Sequence, residues 1–97
     1  MKRLFAVVRT RTEAWQDSLP LEKQRDWNAH AQFMDGLHEE GLIVLGGPLE
    51  GTPDVLLIVR AESAEEIYGV LAKDPWTELE LLRLKSVSPW MLRLGSL

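Results

Sequence analysis

Leu42-Ile43-Val44-Leu45-Gly46-Gly47-Pro48 and Val55-Leu56-Leu57-Ile58-Val59 are two short apolar runs separated by the turn cluster Glu50-Gly51-Thr52-Pro53-Asp54. Runs of this kind joined by a Gly/Pro/Asp-rich connection read as a β-hairpin. What flanks the hairpin decides the fold. Before it, Leu21 to Glu40 has helical spacing and good helix formers, and Gly41 stops it. After it, Ser63-Ala64-Glu65-Glu66 is a capping box that opens a second helix, with Ser63 as N-cap, Glu66 reaching back, and Ile67, Val70 and Leu71 at core spacing. A strand lies at each end: Leu4 to Val8, and Leu81 to Val87, where Leu82 and Leu84 alternate against Arg83 and Lys85. Pro89-Trp90 ends the last strand, and Met91 to Leu94 reads as a further short extended piece. The order strand, helix, strand, strand, helix, strand predicts an α+β, ferredoxin-like βαββαβ fold with two helices on one face of an antiparallel sheet.

With 97 residues the chain is one domain, residues 1–97, with room for a single core. Its 45% hydrophobic and 27% charged content is that of a globular protein, and no linker or repeat interrupts it. A net charge of −4 and the lack of any basic run argue against nucleic acid as a partner. The absence of cysteine removes disulfides, thiolate catalysis and thiolate metal sites. Arg9 and Arg11 cut the N-terminal apolar run short of a secretory segment, and no stretch is long enough to span a membrane. The expected location is the cytoplasm. Thr10 to Pro20, carrying Trp15, forms a loop that is long for so small a domain.

An antiparallel sheet with one wet face should alternate apolar and polar residues. Phe5-Ala6-Val7-Val8, Leu42 to Leu45 and Val55 to Val59 are instead apolar on both faces. Two helices cover only one face. The other calls for a cover from outside the chain, most simply a second copy, so a homodimer packed sheet to sheet is expected.

His30 is the polar residue out of place. At about 100° per residue it falls within the apolar stripe of the first helix, among Trp27, Phe33, Met34 and Leu37. Gln24, Arg25, Asn28, Gln32, Asp35 and Glu39 occupy the rest of that cylinder. An imidazole turned inward needs a partner. Two carboxylates qualify: Asp74, in Asp74-Pro75-Trp76 after the second helix, and Asp26, one turn earlier on the same helix. A carboxylate would fix the tautomer and leave the other nitrogen to exchange protons near neutral pH; the bland alternative is a satisfied core histidine. Gly46-Gly47-Pro48 reads either as a turn or bulge or as a close backbone approach to a ligand, and fits no phosphate-binding fingerprint. Trp76 and Trp90 are candidates to line an aromatic pocket, with Trp15 closing over it. His38, about 80° around the helix from His30, reads as a face residue, and no metal site or cofactor motif is present.

The run Trp27-Asn28-Ala29-His30-Ala31-Gln32-Phe33-Met34-Asp35, then Glu40-Gly41, Leu45-Gly46-Gly47-Pro48-Leu49, Asp74-Pro75-Trp76 and Pro89-Trp90, resembles the YciI-like (YCII-related) family in order and spacing over essentially the whole chain. The resemblance implies a ferredoxin-like domain that dimerises as an α/β barrel. It also implies an active site built on a histidine and an aspartate, here His30 and Asp74. Gly47, Pro48, Trp76 and Trp27 are the candidates to surround a small-molecule ligand there. One branch of the family resembles a dehydrochlorinase acting on a chlorinated hydroxyquinol, and the fold is shared with muconolactone isomerases and small monooxygenases. The chain departs from the family at one place. Many members carry an arginine shortly before the histidine, where this chain has Trp27 and the nearest arginine is Arg25. A more apolar pocket mouth is therefore expected. The combined reading is a small cofactor-independent protein doing lyase- or isomerase-type acid/base chemistry on a cyclic or aromatic substrate. The alternatives are a non-catalytic ligand-binding or regulatory dimer and a cofactor-free oxygenase.

Overall fold

The computed structural model describes residues 1–97, with β1 at Arg3–Arg11, β2 at Ile43–Pro48, β3 at Asp54–Ala61 and β4 at Leu82–Pro89. These strands form one antiparallel sheet ordered β2-β3-β1-β4. Helix α1 is Trp27–Glu39, α2 is Ala64–Leu71 and a short α3 is Pro75–Glu78. The ferredoxin-like order expected from the hairpin and its flanks is the one observed. β2 and β4 are the edges, which is why Pro48 and Pro89 can end them without leaving a ladder bond unmade.

Side chains alternate across the sheet, and the core forms on one side. Phe5 and Val7 of β1 and Leu57 and Val59 of β3 pack with Leu37 of α1 and with Ile67 and Leu71 of α2 in one buried cluster. Burial of each large side chain in it is worth about 1.5–3 kcal/mol. A second cluster of Trp15, Trp76, Leu81 and Leu82 sits beside it, with Leu21, Trp27 and Leu79 around its edge. On the other face Ala6 pairs with Ile58, Val8 with Leu56 and Leu45 with Ile58. That face is apolar at its centre, and the helices leave it open.

Helix α2 starts at the expected Ser63 cap, whose Oγ accepts the Glu66 N–H, while Glu66 Oε1 reaches back one residue further than a capping box requires and accepts the Glu62 N–H. The stretch before α1 differs from expectation. Leu21–Lys23 is a single 3₁₀ turn, and α1 begins only at Trp27 after Asp26, which is left-handed at φ 54°. Gln24, expected on a polar face, is instead buried. Its amide accepts from Gln16 N–H at 3.2 Å and donates to the carbonyls of Gln16 and Leu19 at 2.7 and 3.1 Å. The Arg25 carbonyl accepts the indole N–H of Trp76. These tertiary bonds hold the chain out of helical register ahead of Trp27 while tying down the Trp15 loop.

Three further differences are local. Strand β1 runs on through Arg11, which shortens the loop, and residues after Pro89 form no strand. Helix α3 was not expected, although Asp74-Pro75 is an N-cap followed by a proline at the first helical position.

Candidate active site

The site is built where α1, the start of α3 and the middle of β1 meet. Asp74 is fully buried, and its position as N-cap of α3 aims its carboxylate back at the sheet. Oδ1 accepts the Trp76 backbone N–H at 3.0 Å. Oδ2 accepts from Arg9 Nη1 at 2.7 Å. His30 Nδ1 lies 2.9 Å from both oxygens and donates to them. The structure thus brings His30 to Asp74. Asp26 contributes only its main chain, its carbonyl accepting the His30 N–H at 3.0 Å.

Burial alone would raise the Asp74 carboxyl, but the bonds from His30, from the Trp76 amide and from Arg9 outweigh it and hold it below its ordinary range. Asp74 is therefore a carboxylate at neutral pH. Because it occupies Nδ1–H, the neutral ring carries its lone pair on Nε2. That nitrogen has no protein partner and is not among the buried unpartnered atoms, so it is open to the space beyond the ring.

Trp76 fixes the plane of the imidazole. The two rings stack at 3.8 Å between centroids and 6° between planes. Trp27, one turn before His30, lies 5.9 Å from His30 and 5.7 Å from Trp76. Trp15 meets Trp76 edge-on at 5.2 Å. Three tryptophans and a histidine from three segments form one aromatic wall.

That wall bounds a cleft of about 460 Å³, on the scale of a single small ring compound. Gly47, Pro48, Trp76 and Trp27 line it together with His30. Gly46 and Gly47 lie within β2 rather than in a turn, next to a register shift between Ile43 and Leu45. At Gly46 a Cβ would fall 2.7 Å from Leu57 Cδ2, so the backbone there approaches the core closely. Trp90 is not part of the cleft; it is 39% exposed at the end of β4. His38 stands at the cleft on α1 with Nδ1–H donated to the Ile43 carbonyl at 2.8 Å. No three metal-ligating side chains come together, and no helix is long and apolar enough to cross a membrane.

Arg9 was missed from the sequence, where it figured only as the end of an apolar run. It is 2% exposed, with Nη2 donating to Thr77 Oγ1 at 2.7 Å while Nη1 holds Asp74. The hydroxyl of Thr77 donates in turn to the Leu71 carbonyl at 2.8 Å. The signal was present: with period two, Phe5, Val7 and Arg9 share the helix-facing side of β1.

No family model and no curated protein matches the chain. Among solved structures it is similar to 5-chloro-2-hydroxyhydroquinone dehydrochlorinase from Burkholderia phenoliruptrix, determined in complex with 2,5-dihydroxybenzoquinone. The TM-score is 0.65, sequence identity is 24%, and the match covers 95% of each chain. The likeness is one of fold.

Proposed function

We propose that this chain is a small YciI-like enzyme that moves a proton at Nε2 of His30, in lyase- or isomerase-type chemistry on a small cyclic or aromatic substrate. One observation carries the reading. The Nδ1–H of His30 is committed to a buried carboxylate while Nε2 is left open beside an aromatic-walled cleft.

The roles follow from the geometry. A substrate ring resting against the aromatic wall brings an acidic C–H or O–H to Nε2. His30 takes that proton, and the electron pair left behind expels a leaving group from the neighbouring carbon or shifts a double bond. In an isomerisation the proton returns to a different atom of the substrate. Asp74 keeps Nε2 free of hydrogen in the resting state and balances the imidazolium once it forms. Arg9 is a positioning residue, acting on His30 only through Asp74. Gly47 and Pro48 bring the backbone of β2 against the far side of the substrate. The similar dehydrochlorinase holds a six-membered quinone, a ligand of the size this cleft accommodates.

The apolar face opposite the helices supports a second proposal, a homodimer in which the partner copy covers Ala6, Val8, Leu56 and Ile58.

The test of function is turnover. A panel of halogenated hydroquinones, unsaturated lactones and small cyclic acids is screened by thermal shift, and every binder is assayed for conversion with the native protein, His30→Asn and Asp74→Asn. Loss of turnover in the His30 variant with binding retained, and a large drop in the Asp74 variant, is the expected result. Conversion that survives both substitutions would overturn the proposal.

A further inference from the structure

Four charged side chains stand at or behind the cleft: Arg9, Arg11 and Asp35 line it, and Asp74 is buried behind it. Arg9 and Asp74 neutralise each other, and both guanidinium arms of Arg9 are in use. Asp35, on α1, lines the cleft and makes no ion pair. The fourth is Arg11, two residues beyond Arg9 on the same face of β1. It lines the cleft, is half-buried, and has no carboxylate within salt-bridge distance.

Arg11 is nevertheless held in place. Its guanidinium carbon lies 4.4 Å from the centroid of the Trp15 ring. Trp15 abuts Trp76, and Trp76 stacks on His30. A continuous column therefore runs from an unpaired cation at one end to the reactive imidazole nitrogen at the other. Held over the indole and making no side-chain hydrogen bond, the guanidinium keeps N–H donors free, and its planar fork matches a carboxylate or another planar oxyanion.

We infer that Arg11 reads an anionic group on the substrate: the cleft takes a ring that carries a carboxylate, or an acidic enol or phenol ionised on binding, with that group at Arg11 and the reacting atom at His30. This rests on the proposed function and narrows its substrate class to anionic ring compounds. It also locates the cation. Arg25, the arginine next before His30 in sequence, does not line the cleft, and the positive charge comes from the sheet instead.

The experiment is calorimetric titration of two nearly isosteric probes, 4-hydroxybenzoate and 4-hydroxybenzamide, into the native protein, Arg11→Met and Arg11→Lys. Methionine keeps the apolar stem over Trp15, and lysine keeps the charge without the fork. The native protein is expected to prefer the benzoate by about tenfold or more, the value of one charge-assisted pair. Arg11→Met should abolish that preference while leaving benzamide affinity within about twofold, which also shows that the cleft is intact. Arg11→Lys should fall between. Equal affinity of the native protein for both probes, a preference that persists in Arg11→Met, or equal loss of both probes in that variant would each overturn the assignment of Arg11 with the aromatic cleft still standing. Failure of the native protein to bind either probe would overturn the aromatic-cleft reading itself, and this inference with it.

Discussion

Asp74 is the residue on which the others depend, because it accepts from an imidazole, a guanidinium and a main-chain N–H at once. Removing one partner of a buried charged pair typically costs about 3–5 kcal/mol. Arg9→Met should fall near the lower end, about 3 kcal/mol, since His30 and Trp76 still hold the carboxylate. Urea unfolding measures it. The pH dependence has a defined sign. The folded-state value of Asp74 lies below its ordinary 3.8, so its stabilising contribution is fully present above that value and is lost as pH falls through the lower, folded one. Acid unfolding of the native protein should therefore steepen below about pH 4, and Asp74→Asn should be less stable at neutral pH with a flatter acid limb. His30 was legible from its place in an apolar stripe, and Asp74 was one of two carboxylates within reach by sequence. Arg9 was obscured because an arginine at the end of an apolar run reads first as the end of a strand. Carrying the period-two alternation of Phe5 and Val7 one step further places it on the inward side, as the structure has it.

The elements divide into those set by local chemistry and those set by contact at a distance. The capping box at Ser63 and the hairpin turn at Gly51 follow from local rules, and both were legible. Ser63→Ala should cost about 1 kcal/mol, measured by thermal or urea unfolding. The split of the first helical stretch was not legible, because Leu21 to Asp26 contains no residue that forbids a helix. Its cause is the buried Gln24 amide, bonded across to Gln16 and Leu19, together with the Arg25 carbonyl bonded to Trp76. Gln24→Ala should cost about 2 kcal/mol by leaving buried main-chain groups unpaired. It should also raise the protease sensitivity of residues 12–20 before global unfolding, since Gln24 anchors the main chain of that loop at Gln16 and Leu19. A Gln24→Ala protein with unchanged loop protection would contradict this account of the break.

At the scale of the whole molecule, alternation of apolar and polar residues fails on β1, β2 and β3, and the fold shows why it matters. Both long helices serve one face, leaving Ala6, Val8, Leu45, Leu56 and Ile58 grouped on the other. Sedimentation at micromolar concentration should give a dimer, and Val8→Asp with Leu56→Asp should give a folded monomer with unchanged far-ultraviolet circular dichroism. A native monomer would end the proposal of a partner copy. The cleft lies on the helix side, between α1, β2 and the Trp15 loop, so its aromatic wall is complete within one chain. Trp15, Trp27 and Trp76 were each candidates from the sequence, but their arrangement was not legible, since they come from a loop and two helices far apart along the chain. Only the fold brings them around one histidine.

The central claim is that Asp74 holds the Nδ1–H of His30 so that Nε2 faces the cleft as the proton-transfer atom. Two-bond ¹H–¹⁵N correlation spectra of the ¹⁵N-histidine-labelled protein test it most directly, with His30→Asn for assignment. At a pH where the ring is neutral, the predicted pattern for His30 is a protonated Nδ1 and an unprotonated Nε2. Asp74→Asn should disturb that pattern, and 4-hydroxybenzoate should shift the Nε2 resonance selectively. A neutral His30 protonated on Nε2, or an Nε2 resonance indifferent to every cleft ligand, would contradict the account.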